Sequence, residues 1–237
     1  MKIKPSSIAM AVLGLSVALP ASAALVTTTS KSVFDTQIGS LGYTAQVTGF
    51  DAATPPFAIA NGGSYDGIQF NVNTSHALDT LTGFQIRDGS TTTSAGNHLG
   101  GVYDTFQTAG SFYSGDVVDL VFGQVSALGL YIISSGTPQD GQVSLSIAGS
   151  TASLSNADRE TLVSPAYAFF MGIYDNAGAT FTSARLASTD ASGNIGAFSF
   201  YVDDIVRATG EAPVPGTLLL MLSAVLGLAV VRRPSVR

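Results

Sequence analysis

The chain has no cysteine and no tryptophan, and it carries two histidines and ten basic residues in 237. Without cysteine there is neither a disulfide framework nor a thiolate metal site, so stability rests on core burial, with or without a bound ion. Without tryptophan a sugar-binding face has lost its largest stacking side chain. The histidines, His76 and His98, both fall in polar, loop-like stretches and read as solvated loop residues; a serine hydrolase or a zinc centre would need one of them plus partners that no motif supplies. Glutamate is scarce too: Glu160 and Glu211 stand against fourteen aspartates. Aspartate favours turns and caps whereas glutamate suits exposed helix faces, so the composition is not that of a helical protein.

Catalytic signatures are also missing. There is no G-x-S-x-G elbow, P-loop, H-E-x-x-H or dinucleotide fingerprint. Glycosidase chemistry needs two facing carboxylates, a condition any aspartate-rich chain can meet and which therefore carries no weight. The expectation is a protein that is not an enzyme. A secreted glycan or ester hydrolase is the weaker alternative, with the histidines and Glu160 as its only plausible catalysts.

What is present divides into segments. Residues 1–23 join the basic Lys2 and Lys4, an apolar stretch from Ile8 to Leu19 and the small-residue triplet Ala21-Ser22-Ala23, the layout of a cleaved signal peptide. Five bases lie in the terminal segments and five (Lys31, Arg87, Arg159, Arg185, Arg207) in the middle, where all sixteen acids also lie; the middle thus carries a formal charge of −11. Such a surface repels nucleic acid and anionic lipid and suits divalent cations. After the linker 210–216, Thr217–Val231 is an unbroken run of apolar and small residues, about 22 Å long as a helix against a hydrocarbon core near 30 Å. Arg232 and Arg233 close it and belong on the cytoplasmic side. The expectation for 217–237 is one transmembrane helix with a basic tail, anchoring the domain outside the inner membrane.

Pro213, Val214, Pro215 and Gly216, the apolar run, and Arg232 with Arg233 together resemble the PEP-CTERM sorting signal of exosortase substrates in Gram-negative bacteria. The resemblance covers about the last 26 residues, with Val214 where the motif has glutamate. It implies an exosortase-type processing enzyme as partner and a cell-surface or extracellular-matrix destination associated with exopolysaccharide and biofilm.

Between Leu25 and Thr209 short apolar runs alternate with Gly, Ser, Asn and Asp, without a repeat of fixed period and without a long helical pattern. Strands are expected at Tyr43–Phe50, Tyr65–Val72, Val117–Gly123, Ala127–Ser134, Gly141–Gly149, Tyr167–Tyr174, Phe181–Ser188 and Gly196–Ala208. The expected fold of 24–209 is all-β, an antiparallel β-sandwich of jelly-roll type. Asp88–Gly101 reads as a mobile surface loop, and Asn156–Leu162 as one helical turn capped by Asn156. Phe169, Phe170 and Met171 read as packing; Tyr103, Phe112 and Tyr113 read as packing or as exposed rings, packing being favoured.

The most informative internal stretch is Tyr201-Val202-Asp203-Asp204-Ile205. Strict alternation puts Val202 and Asp204 on one face and Tyr201, Asp203 and Ile205 on the other, so one carboxylate faces inward and needs hydrogen bonds or an ion. FYVDDI resembles the last strand of jelly-roll carbohydrate-binding modules, in which an aspartate there ligates a structural calcium. That resemblance implies Asp203 or Asp204 as calcium ligands, with Asp51, in GFDAA, as a candidate second ligand, and a carbohydrate-binding module as the alternative function. The other reading of the pair is a strand end whose aspartates face solvent or cap a turn.

Overall fold

A computed structural model describes residues 24–73, 80–89, 92–94, 96–104, 110–134, 136, 138–162, 166–189 and 198–210. The expected signal peptide, sorting motif, transmembrane helix and basic tail lie outside the described residues, as does His76. Among the described residues no helix is long and apolar enough to cross a membrane.

The described chain is all-β and antiparallel, with one short helix. In order the elements are β1 (Leu25–Thr28), α1 (Lys31–Ser40), β2 (Thr44–Thr48), β3 (Phe57–Ala60), β4 (Ser64–Tyr65), β5 (Ile68–Val72), β6 (Leu81–Asp88), β7 (Asn97–Tyr103), β8 (Phe112–Tyr113), β9 (Val117–Val125), β10 (Ala127–Ser134), β11 (Val143–Ile147), β12 (Ser150–Ser153), a 3-10 turn at Asn156–Asp158, β13 (Glu160–Thr161), β14 (Tyr167–Asp175), β15 (Phe181–Ser188) and β16 (Ser199–Thr209). One sheet runs β1-β14-β10-β16-β7-β6-β3; the other runs β12-β11-β15-β9-β5-β4.

Sequence pattern explains which faces are covered. β11 and β9 alternate, and only their inner residues, such as Val143, Leu145, Ile147, Val118 and Leu120, are buried, so the second sheet keeps one face in solvent. β10 is apolar or glycine up to its last residue, Ser134, and every residue of it is buried. Its two faces serve two cores. The larger lies between the sheets and joins Phe70, Phe84, Leu120, Leu130, Leu145, Phe169, Leu186 and Val202. The smaller lies under α1 and joins Phe34, Ile38, Tyr43, Tyr131, Phe170 and Val206.

Helix α1 was not expected, because only Phe34 and Ile38, four residues apart, mark its buried face among polar neighbours. Ser30 caps it by accepting from the Val33 amide at 3.4 Å. The helix seats in a notch made by two glycines: Gly129 and Gly172 are direct cross-strand partners. A Cβ on Gly172 would lie 2.6 Å from Phe34 Cδ2, and one on Gly129 would overlap Phe170 Cζ.

Other local expectations need correction. Asp88–Gly101 is not a loop throughout: β6 reaches Asp88 and β7 begins at Asn97, paired Asp88 to Asn97 and Arg87 to His98. Its glycines Gly100 and Gly101 are strand residues pressed against Gly110 and Ser111, where a Cβ on Gly100 would overlap the Gly110 carbonyl. The 3-10 turn is capped by Ser155 rather than Asn156. Tyr103 and Phe112, by contrast, are buried and Tyr113 packs on the main core, in line with the favoured packing reading.

β16 is the hub. One edge pairs with β10; the other is shared in succession by β8 at Ser199–Phe200, β7 at Val202 and β2 from Ile205 to Thr209. Strict alternation fails inside it: Gly129 pairs Val206 but Tyr131 pairs Asp203, so Leu130 faces two residues, Asp204 and Ile205. Asp204 takes the extra place with φ +44, a bulge conformation that aspartate tolerates better than most residues. The bulge resets the phase. Ile205 joins Val202 in the main core, contrary to the expectation that it would share the face of Tyr201 and Asp203.

Candidate functional site

The bulge sits where β2 leaves the edge of β16 and β7 arrives, and three expected site residues meet there. Asp203 is the inward carboxylate, fully buried. Its Oδ2 accepts from the Thr93 amide at 2.9 Å and the Thr93 hydroxyl at 2.8 Å, with a longer bond from the Ser94 amide at 3.4 Å. Its Oδ1 accepts from the Asp204 amide at 2.9 Å. Burial first, then the neighbouring Asp204 charge, raise its pKa above the ordinary carboxylate value, while the Thr93 and Asp204 bonds oppose the rise.

Asp204 is partly exposed, and its Oδ2 stands 2.9 Å from the same Thr93 hydroxyl. That hydroxyl has one proton for two carboxylates, so one of the two contacts lacks a donor whenever both are ionised. Asp51 joins from the far end of β2: its Oδ1 accepts from the Asn97 amide at 2.9 Å, and the Asn97 side chain donates to the carbonyls of Phe50 and Ala53 at 3.1 and 3.0 Å. The second oxygens of Asp51 and Asp204 converge on Gly49. A Cβ there would lie 3.5 Å from Asp204 Oδ1 and 3.8 Å from Asp51 Oδ2.

Asp203 is therefore saturated by protein donors and pins the β6–β7 turn to β16, whereas Asp51 and Asp204 each keep an oxygen that bonds to no described donor. Hard oxygen ligands of this kind suit calcium, which completes its shell with carbonyls and water. Among the described residues no group of three or more His, Cys, Asp or Glu side chains is arranged to hold a metal ion. Two carboxylates are fewer than such a group, so a calcium held by Asp51 and Asp204, with Asp203 positioning them, would have to take the rest of its shell from carbonyls and water. Sequence reasoning missed Thr93 and Asn97, which lie over a hundred residues from Asp203 and in a segment read as a plain loop.

Flanking the clasp, Arg207 is buried and donates through Nη2 to Thr48 Oγ1 at 2.9 Å and to the Asp66 carbonyl at 2.7 Å, with Asp66 Oδ2 at 3.2 Å. Burial lowers its pKa and the Asp66 charge opposes that.

His98 is not a solvated loop residue. It lies in β7 at 7 % exposure, with its ring 4.2 Å from that of Tyr201. Burial lowers its pKa; the bond from its ring to the Gly110 backbone and the Asp88 charge act upward, and Arg87 acts downward. Its Nδ1 is buried without a hydrogen-bond partner among the described residues. Arg87, Asp88, His98, Gly110, Ser111 and Tyr201 line an open depression of about 310 Å³. Among the described residues His98 makes no hydrogen bond to a serine or a carboxylate, the contact a hydrolytic triad would need.

No protein-family model, no curated protein and no solved structure matches this chain.

Proposed function

We propose that this is an exported, non-enzymatic module of the cell surface or extracellular matrix, a jelly-roll-type sandwich braced by calcium and associated with exopolysaccharide. In this reading the signal peptide exports it, and the Pro213–Gly216 motif with Arg232 and Arg233 presents its tail to an exosortase-type enzyme in the inner membrane. The domain then works outside the cell.

One observation carries the module reading: Asp51 from the first third of the domain and Asp203 and Asp204 from its last strand meet on one turn. A cation there would tie β2, β7 and β16 together and relieve the repulsion between carboxylates sharing the Thr93 proton. Calcium supplies only charge and coordination; the chain supplies the geometry. A module of this kind gains stability by mass action from a millimolar extracellular ion even when each site is weak.

Two measurements test the two halves separately. The intact mass of the protein from membrane and medium fractions of its native host should show a released form ending near Pro215; a full-length tail found only in membranes refutes the sorting half. Thermal unfolding with calcium, magnesium and a chelator should show a calcium-specific rise, and its absence refutes the bracing half.

A further inference from the structure

Four large apolar side chains are conspicuously exposed among the described residues, and only one, Phe57, is aromatic; it stands at 42 % exposure. Phe57 lies on β3, the edge strand of one sheet, and Tyr65 on β4, the edge strand of the other. Their rings meet edge to face, 5.8 Å apart at 62°, and Tyr65 lies 5.8 Å from the buried Phe50. The pair is thus anchored from behind and open in front, closing one edge of the sandwich.

Its surroundings are acidic. Asp66, next to Tyr65, leaves 42 % of its side chain exposed; its Oδ2 faces Thr48 and Arg207, and its Oδ1 bonds to no described donor. Burial first, then the charges of Asp66 and Asp51, push the Tyr65 hydroxyl above its ordinary value. Aromatic faces beside carboxylates attract cations, and the same faces accept the C–H face of a sugar ring. A formal charge of −10 on residues 24–209 draws polycations and repels uronate polymers.

We propose that the Phe57–Tyr65 edge binds an amino-sugar polymer that carries free ammonium groups, with sugar rings on the aromatic pair and an ammonium at Asp66. The proposal rests on the reading that the domain contacts exopolysaccharide, and it names the chemical class. Its discriminating feature is the joint demand for a ring and a positive charge, which a neutral glycan meets only in part and a basic peptide meets only in the other part.

The test is a titration of the full chain, in calcium, with three probes: a β-1,4-linked glucosamine tetramer, its fully N-acetylated form, and tetralysine. The glucosamine tetramer should bind at least about tenfold more tightly than either of the others and perturb Phe57 and Tyr65 resonances. Phe57→Ala should weaken it about tenfold and Phe57→Tyr should restore it. Equal binding of the N-acetylated tetramer removes the charge requirement and overturns the proposal; equal binding of tetralysine removes the sugar requirement and does the same. Unchanged binding in Phe57→Ala marks diffuse attraction to the acidic surface and also overturns it. The calcium-dependent rise in melting temperature, measured on the same samples, should be identical in wild type and Phe57→Ala, so failure of the sugar site and failure of the calcium brace are told apart.

Discussion

Replacing Gly172 by alanine should damage the protein in a way that depends on Phe34. The added methyl would sit 2.6 Å from Phe34 Cδ2, 3.0 Å from its Cε2 and 2.8 Å from Phe170 Cε1. These are rigid ring atoms in a buried cluster, so helix α1 must shift or the strands must bend. Overpacking of this sort costs about 1–3 kcal/mol, and Phe34→Ala, at a fully buried ring, costs about 3–5 kcal/mol. The double variant should cost less than the sum by at least about 1 kcal/mol, because deleting the Phe34 ring opens the volume that the methyl added at Gly172 needs. Urea unfolding of the four proteins, followed by circular dichroism, measures the cycle. Additivity within about 0.5 kcal/mol would show that Phe34 does not occupy the glycine notch, and the account of how α1 is held would fall.

Asp204→Asn should abolish most of the calcium-dependent rise in melting temperature while Asp119→Asn, on the exposed face of the other sheet, leaves it intact; calorimetry with and without chelator reads both. Tyr103→Phe removes the hydroxyl that donates to buried Asp116, a carboxylate that also receives the Tyr113 amide at 2.8 Å, and should cost about 1–3 kcal/mol by chemical denaturation. His98 has a folded pKa below its ordinary 6.5, so its contribution to stability is present above that value and is lost as pH falls, the unfolded chain taking up a proton that the fold resists. The loss is at most about 1.4 kcal/mol per pH unit. A His98→Gln variant should show a flatter acid limb between about pH 6.5 and 5, and an identical limb would contradict the buried, neutral imidazole.

The strands that were legible in the sequence are those whose pattern is decided locally. β10, apolar or glycine until its final serine, appears at Ala127–Ser134 as expected, and β11 keeps Val143, Leu145 and Ile147 on its buried face. The segments that were not legible owe their structure to distant partners. β7 is a strand because Arg87 and its neighbours pair with it and because Gly110 packs on Gly100, facts that Asn-His-Leu-Gly-Gly after a run of Gly, Ser and Thr does not announce. The pairing of Asp203 and Asp204 pointed to a special position, and the need for one inward carboxylate was correct. What alternation did not contain was the bulge, which inserts a residue and so returns Ile205 to the core. The clasp partners Thr93 and Asn97 carry no local mark at all.

The placement of β16 also sets the order in which the domain is built. It is the last described strand, yet it carries β10 on one edge and β8, β7 and β2 on the other. Until Ser199–Thr209 is available, β2 has no sheet to join and the Asp203 anchor for the β6–β7 turn does not exist. Assembly of the first sheet must therefore wait for the C-terminal end of the domain, and a chain that emerges N-terminus first keeps that sheet incomplete until Ser199–Thr209 has emerged.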